Sequence, residues 1–311
     1  MRNFYISKNY KTINSAGNKA KTDIEKCLAD IGLRNIGFTQ SHKSNLALDY
    51  FYTLGSVLKG VIKISKGDMI VLQYPWKKYY TWICKQAHRK GAKTITIIHD
   101  LGAFRRQKLT VDQEIARLNL SDVIIAHNQS MANWLKEQGL SRPIICLEIF
   151  DYLSTVKPSD QYPSVEIYRV AYAGALSPKK NQFLYDLFRA DRPYIMELFG
   201  NGFEQDDKGF NTEINYHGFT PSDRLIETIN AHFGLVWDGE SIEECSGTYG
   251  LYLRYNNPHK TSLYLRSHIP VIVWSESALA PFVRENRVGI CVESLNDLPG
   301  ILNNLTPENY Q

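Results

Sequence analysis

The feature that most constrains the fold is a repeated alternation of short apolar runs with longer segments of helical periodicity. The runs MIVL at residues 69–72 and TITII at residues 94–98 are continuous and rich in β-branched side chains. Such runs are typical of parallel strands buried on both faces. Because helical patterns separate the runs along the whole chain, the sequence predicts an α/β fold built from doubly wound parallel sheets.

In the first half, the alternation predicts six strands, at residues 3–7, 35–39, 68–74, 93–99, 122–127 and 143–149. It predicts helices at residues 19–31, 46–64, 78–90, 111–120 and 130–138. Ser130 is the expected N-cap of the last helix, and Gly139 is its expected stop.

The second half repeats the pattern after a segment that contains Pro158 and Pro163. Strands are expected at residues 170–173, 194–199, 214–218, 233–237, 270–274 and 288–292, and helices at residues 181–188, 221–231, 258–267 and 278–286. With 311 residues, the chain is long enough for two domains of about 150 residues each. We expect domains at residues 1–152 and 165–311, joined by a linker at residues 153–164.

Charge is distributed unequally between the halves. Residues 1–150 contain 23 Lys+Arg and 11 Asp+Glu, a balance of +12. Residues 151–311 contain 13 Lys+Arg and 21 Asp+Glu, a balance of −8. A basic half favours a weak contact with an anionic membrane surface or with a diphosphate-linked acceptor, although a solvated face without a partner gives the same pattern. Because no RNA- or DNA-binding motif is present, we expect no nucleic acid partner.

Other features restrict the location and the metal chemistry. The sequence has no stretch of 18 apolar residues and no signal peptide at its start, and its five cysteines are scattered without a CxxC pair. We therefore expect a cytoplasmic protein with reduced thiols, possessing neither a disulfide framework nor a metal site. Peripheral attachment to the inner face of the cell membrane is compatible with this reading, and the possibility of a homo-oligomer stays open.

Two segments have the chemistry of anion sites. In residues 256–265 (NNPHKTSLYL), Pro258 starts a predicted helix and Lys260 lies in its first turn. Helix N-termini attract anions, and a lysine adds a full positive charge. Residues 173–181 (AGALSPKKN) follow a predicted strand, and a small-residue turn there allows the backbone to approach a phosphate group.

His99 and Asp100 end a predicted central strand, at the sheet edge where parallel-sheet proteins bind ligands. Asp100 is our preferred general base, and His99 is a positioning partner or the alternative base. A helix N-cap beside a buried histidine is the structural alternative. Further residues have polar groups where an acceptor sugar could bind, but a turn or a cap explains most of them equally well. These residues are Asn14, Gly17, Lys19, His127, Asn128 and Asp238.

Several segments together resemble the bacterial galactofuranosyltransferases of O-antigen and capsule assembly. They are residues 98–100, 126–131, 149–153, 233–239, 244–247, 256–265 and 285–289. The chain is more distantly similar to the glucosyltransferases of streptococcal serine-rich adhesins. This resemblance implies a GT-B fold with two Rossmann-like domains facing each other across a cleft, a UDP-sugar donor and no cofactor or metal requirement. The donor-binding residues are then expected to be Gly174, Ser177, Lys179, Lys180, Asn256, Asn257, His259, Lys260, Thr261 and Ser262.

The sequence also departs from the wider GT-B pattern. Leu263 stands where many retaining members have a glutamate that binds the donor ribose, so Asn256 or Asn257 is expected to hold the ribose instead. His268 replaces the usual glycine. The chain ends within a polar segment, so either the sequence is truncated or it lacks the helix that usually returns to the first domain.

Three enzymatic functions and one non-catalytic function stay open. The first is an inverting transfer of a hexose, with galactofuranose from UDP-galactofuranose preferred, onto a lipid-linked or protein-linked glycan. The alternatives are a glucosyltransferase of protein or polysaccharide glycosylation and a GT-B-shaped UDP-sugar epimerase. A non-catalytic binding protein would tolerate the loss of Asp100 and Lys260.

Overall fold

A computed structural model describes residues 2–8, 10, 16–42, 45–76, 79–105, 109–159, 166–205, 209–306 and 310. The chain divides into two compact units, Met1–Asp151 and Tyr152–Gln311. Each unit contains one six-stranded sheet, and all the strand pairs described are parallel. The predicted α/β class is therefore confirmed in both halves.

The sheet of the first unit has the order β2-β1-β3-β4-β5-β6. Its strands are β1 (Asn3–Tyr5), β2 (Arg34–Asn35), β3 (Met69–Tyr74), β4 (Lys93–Ile98), β5 (Val123–Ala126) and β6 (Ile144–Cys146). The helices are α1 (Ala16–Asp30), α2 (Leu46–Lys63), α3 (Tyr79–Arg89), α4 (Gly102–Arg105), α5 (Val111–Leu118) and α6 (Gln129–Glu137).

The direction of each crossover decides which face of this sheet a helix covers. The chain moves one way from β1 to β2 and the opposite way from β2 to β3 and from β3 to β4. Because parallel crossovers are right-handed, α1 covers one face while α2 and α3 cover the other. Ile24 and Leu28 of α1 accordingly pack with Val71 and Ile97 in one apolar cluster.

Most predicted elements of the first unit are present, with strands shorter than predicted. Helix α1 begins at Ala16, before the predicted start at residue 19, and α4 was not predicted. The predicted N-cap Ser130 is wrong: Asn128 is extended and its Oδ1 accepts a hydrogen bond from the Met131 N–H at 2.9 Å, so the helix begins at Gln129. Gly139 ends this helix as predicted, with a φ of 95°.

Asp122 fastens the amino-terminal ends of β4 and β5 to α3. Its carboxylate accepts hydrogen bonds from the Thr94 N–H, Lys93 Nζ and His88 Nε2, each at 2.9 Å. Burial alone would raise the pKa of Asp122, but these hydrogen bonds outweigh it and lower the pKa to about 2. The ionised form is thus favoured in the folded protein, where the side chain is 20% exposed.

We expect Asp122→Asn to lower the free energy of unfolding at pH 7 by about 1–2 kcal/mol, after allowance for solvent screening. The pKa is lower in the folded than in the unfolded chain, so this stabilisation is present above about pH 4 and is lost as the pH falls towards about 2. The free energies of unfolding of wild type and variant, measured by urea titration across this pH range, should therefore become equal at its acidic end. Asp30→Asn, which changes an exposed carboxylate, is the control; an equal loss there would contradict the assignment.

The sheet of the second unit has the order β12-β11-β10-β7-β8-β9. Its strands are β7 (Tyr168–Ala173), β8 (Tyr194–Phe199), β9 (Ile214–Tyr216), β10 (Phe233–Val236), β11 (Val271–Trp274) and β12 (Gly289–Val292). The helices are α7 (Gln182–Arg189), α8 (Ser222–Thr228), α9 (Gly247–Leu251), α10 (His259–Arg266), α11 (Ala280–Asn286) and α12 (Leu298–Asn303), with a 3-10 turn at Tyr252–Arg254.

The described residues of the expected linker pack on the second unit. Ser154 donates a hydrogen bond to Asp223 at 2.7 Å, and Arg266 donates to the Val156 carbonyl at 2.5 Å. Residues 160–165 lie outside the described part of the chain. Within the described ranges, no helix has the length and apolar character needed to cross a bilayer.

Candidate functional site

The second sheet has a crevice built into its strand order. Strand β7 lies between β8 and β10, and the connections from β7 run in one direction and those from β10 in the other. Open parallel sheets bind ligands outside the carboxyl ends of the strands at this switch point. The residues that follow these two ends are Gly174, after β7, and Trp237 and Asp238, after β10.

Lys260 and Asp238 form an ion pair at this crevice, with Nζ and Oδ1 3.0 Å apart. Lys260 Nζ also donates to the Trp237 carbonyl at 3.1 Å and lies 4.4 Å from the centroid of the Tyr172 ring. The Tyr172 hydroxyl donates to Asp238 Oδ1 at 3.0 Å. Since the lysine and aspartate side chains are only 13% and 17% exposed, the pair is largely withdrawn from water.

The charges around Asp238 keep it ionised. Burial would raise the pKa of Asp238, but the positive charges of Lys260 and Lys180 and hydrogen bonds from Lys260 and Tyr172 lower it below its ordinary value. Burial next to this carboxylate raises the pKa of Tyr172 far above its usual range, so its hydroxyl keeps its proton. One carboxylate faces two lysines, and the local charge is therefore positive.

Helix α10 is locked onto the sheet by Tyr264, one turn after Lys260. The Tyr264 hydroxyl accepts a hydrogen bond from the Ala173 N–H at 2.7 Å and donates to the Ala171 carbonyl at 3.3 Å. Its ring occupies the space above Gly234 of β10, where a Cβ would lie 2.2 Å from a ring atom. This contact fixes the rotation of the helix and directs Lys260 towards Asp238.

The loop between β7 and α7 is held against the loop after β8. A Cβ on Gly200, whose φ is 149°, would lie 1.8 Å from the Gly174 carbonyl oxygen, so only glycine fits. Asn181 is buried, and its Oδ1 accepts the Gly239 N–H at 3.4 Å. Asp238 and Gly239 thus connect the start of α7 to the start of α10.

Helices α7 and α10 both begin without a side-chain cap, because Asn181 and Pro258 make no capping hydrogen bond. Among the described residues, the buried atoms Asn256 Oδ1 and Thr261 Oγ1 also have no hydrogen-bond partner. Uncapped helix N-termini and unsatisfied buried polar atoms are costly unless a ligand or water completes them. The arrangement is suited to an anion that carries hydrogen-bonding groups.

The other predicted donor residues have varied surroundings. His259 stacks on Tyr152 with ring centroids 4.7 Å apart, Asn257 and Ser262 are buried, and Lys179 is exposed. The backbone carbonyl of Ser177 accepts hydrogen bonds from the N–H groups of Lys180 and Asn181 at 3.0 Å, which closes the turn before α7. Their contact with a donor stays a prediction.

The two departures from the GT-B pattern are explained in part. Leu263 is buried in the apolar cluster that α10 forms with the sheet. His268 has a φ of 59°, in the left-handed region that favours glycine, which accounts for the glycine usual in the wider family.

In the first unit, His99 is fixed at the carboxyl end of β4. Its Nε2 donates a hydrogen bond to Gln73 Oε1 at 2.7 Å. The Gln73 amide presents its oxygen to His99 because its Nε2 donates to the Lys21 carbonyl. The imidazole also stacks on Phe150 with centroids 5.3 Å apart. In the neutral ring, Nδ1 is then the accepting nitrogen.

Glu114 holds the loop that follows Asp100. Its buried carboxylate accepts the Gly102 N–H at 2.7 Å, the Ala103 N–H at 2.8 Å and the Tyr74 hydroxyl at 2.8 Å. These hydrogen bonds create the short helix α4 and set the position of partly buried Asp100. The role of Asp100 and His99 as bases stays a prediction.

The described residues that were predicted to bind the acceptor have separate local roles. His127 is buried, donates from Nε2 to the Ile98 carbonyl at 3.0 Å, and has its pKa lowered to about 4 by burial. Asn128 caps α6, and Lys19 pairs with Asp23. Gly17 is exposed in the first turn of α1, and Asn14 lies outside the described residues.

Sequence reasoning missed two features. Glu25 is buried near the carboxyl end of β1, where Ser7 and Tyr10 each donate to it at 2.6 Å and burial raises its pKa. A separate cavity of about 460 Å³, lined by Glu197, His217 and their neighbours, contains no predicted site residue. No pattern of residue types marked either one.

Comparisons with known proteins agree across both halves. Residues 3–149 match the family described as "Glucosyltransferase 3-like, N-terminal domain", and residues 170–311 match its C-terminal counterpart. Beta-1,6-galactofuranosyltransferase WbbI of Escherichia coli (strain K12) is 33% identical over 78% of this chain and 71% of its own. Glucosyltransferase 3 of Streptococcus gordonii is 25% identical over 94% and 85%.

Among solved structures, the apo form of lipopolysaccharide outer core galactosyltransferase WaaB has a similar fold. The TM-score is 0.52 with 12% identity, over 100% of this chain and 97% of that one. At this identity the similarity concerns the fold alone.

Proposed function

Because this chain belongs to the glucosyltransferase 3-like family, it is a glycosyltransferase, and we propose that it moves galactofuranose from UDP-galactofuranose onto a cell-surface glycan precursor. The observation that supports the proposed donor site is the largely buried Lys260–Asp238 pair between two uncapped helix starts. The similarity to a galactofuranosyltransferase at 33% identity favours the sugar.

In the proposed site, the diphosphate binds between the loop after β7 and the start of α10. Lys180, Lys260 and the N–H groups of the two helix starts stabilise the negative charge that develops on UDP as the sugar leaves. Asn256 and Thr261 have buried oxygens suited to the ribose or the sugar. The acceptor is a lipid-linked or protein-linked glycan, such as an O-antigen or capsule precursor, and the protein attaches peripherally to the inner face of the membrane.

A donor panel tests this proposal. The purified protein is incubated with UDP-galactofuranose, UDP-galactopyranose or UDP-glucose and a synthetic lipid-linked acceptor, and products are identified by mass spectrometry. We expect a hexose to be added from UDP-galactofuranose. Product from UDP-glucose alone would replace the proposal with the glucosyltransferase alternative, which the similarity to Glucosyltransferase 3 favours.

We expect transfer to proceed without a divalent metal. In the described ranges, no group of three or more His, Cys, Asp or Glu side chains is arranged to hold a metal ion, whereas lysines are available at the proposed diphosphate site. The rate in excess chelator should stay close to the untreated rate. Complete loss of activity that magnesium or manganese restores would contradict the lysine-based mechanism.

A further inference from the structure

Helix α2 exposes a row of large apolar side chains. Leu48, Phe51, Leu58 and Ile62 lie on one face of the helix, and Phe51 and Ile62 are 66% and 75% exposed. The opposite face, which includes Val57, is buried within the first unit. A helix that is apolar on both faces is normally covered on both, so the outward face lacks its expected covering.

Positive charge surrounds this row. Lys63 and Lys66 are exposed at the end of α2, and the adjacent helix α3 exposes Trp82, Lys85 and Arg89. Residues 46–90 contain 8 Lys+Arg and 2 Asp+Glu. One of these acids, Asp68, is paired with Arg2 at 2.8 Å, which reduces its effect on the surrounding potential.

The positive charge around the apolar row indicates what kind of surface covers it. A second copy of the chain would bring the same cations together across a two-fold interface, which is repulsive. An anionic bilayer presents the opposite charge and an apolar interior, and amphipathic helices with basic rims lie along that boundary. No described helix can cross a bilayer, so α2 would lie in its surface.

We propose that the outward face of α2 and α3, defined by Phe51, Leu58, Ile62, Lys63, Trp82 and Lys85, docks onto an anionic lipid surface. The apolar side chains enter the headgroup boundary while the cations contact lipid phosphates. The inference extends the proposed function, because peripheral attachment is part of it, and names the surface responsible.

Sedimentation with vesicles tests the proposal. Wild type should bind vesicles of equal parts phosphatidylglycerol and phosphatidylcholine, and binding should fade as salt is added. Phe51→Ser/Ile62→Ser should lower the partition coefficient about ten-fold or more, because both side chains would leave the lipid boundary. Lys63→Gln/Lys85→Gln should weaken binding and flatten its salt dependence.

Ile31→Ser is the matched control, since Ile31 is 74% exposed next to α1, on the other face of the sheet. It should bind vesicles like wild type. Unchanged binding by the double serine variant would overturn the proposal. Equal binding of wild type to pure phosphatidylcholine vesicles would also overturn it. A third contradicting result would be a wild-type protein that does not bind vesicles but forms a dimer in solution, if the double serine variant disrupts that dimer. Transfer to a water-soluble acceptor, measured in the same variants, reports on the proposed function independently.

Discussion

Lys260→Met is expected to weaken UDP binding about 5- to 150-fold, which corresponds to a loss of about 1–3 kcal/mol. Methionine keeps much of the packing on the Tyr172 ring but removes the charge and the hydrogen bonds of Nζ. Calorimetry with UDP measures the effect. Uridine, which has no phosphate, should lose much less affinity if Lys260 acts on the diphosphate.

Stability must be separated from affinity, because Lys260→Met removes the lysine that is hydrogen-bonded to the largely buried Asp238 carboxylate. Removing one partner of a fully buried pair costs about 3–5 kcal/mol, and the loss should be smaller here because Lys180 and Tyr172 still stabilise the carboxylate. Asp238→Asn is the matched control: it keeps the lysine and removes the opposing charge, so UDP affinity should be preserved or increased. The double variant should recover stability and still bind UDP weakly. Unchanged UDP affinity in Lys260→Met would move the diphosphate away from α10.

Asp100→Asn should lower the transfer rate about a hundred-fold or more while UDP binding is retained. The reason is chemical: a one-step displacement needs a base for the acceptor hydroxyl, and asparagine keeps the shape of aspartate without accepting a proton. The Glu114 hydrogen bonds to Gly102 and Ala103 should hold the loop in place in the variant. Single-turnover rates, compared with calorimetric UDP affinity, separate catalysis from binding.

Two comparisons sharpen this test. Asp112→Asn, on the exposed side of α5, should be fully active. If His99→Ala is inactive and Asp100→Asn is active, the base is His99, whose Nδ1 is the accepting nitrogen. If both variants are active, buried Glu25 and the carboxylates after Trp237 become the candidates. NMR of the product should show an inverted anomeric centre; retention would exclude the single displacement.

Strand and helix positions were the most predictable part of the fold. Strand β8 was predicted residue for residue: five of its six residues are apolar and all six are buried, as is typical of a parallel strand covered on both faces. The resemblance to galactofuranosyltransferases and, more distantly, to streptococcal glucosyltransferases is also confirmed. Both inferences rest on local patterns of residues.

Features that depend on contacts distant in sequence were not predictable. Helix α4 exists because Glu114 binds its first N–H groups, and no local signal in residues 102–105 indicates it. Asp238 and Lys260 were given separate roles in sugar and nucleotide binding, yet they form one ion pair. The spacing of 22 residues between them acquires meaning only when β10 and α10 are folded against each other.

The contacts among Tyr172, Asp238, Lys260 and Tyr264 are all internal to Tyr152–Gln311. The proposed donor site is therefore encoded by residues of the second half of the gene. Recombination between relatives near codon 152 would carry the site over whole, and new glycan linkages could arise by shuffling halves as well as by point mutation. On this view, the two halves of such chains can have different ancestries, and phylogenies built from each half separately should sometimes disagree.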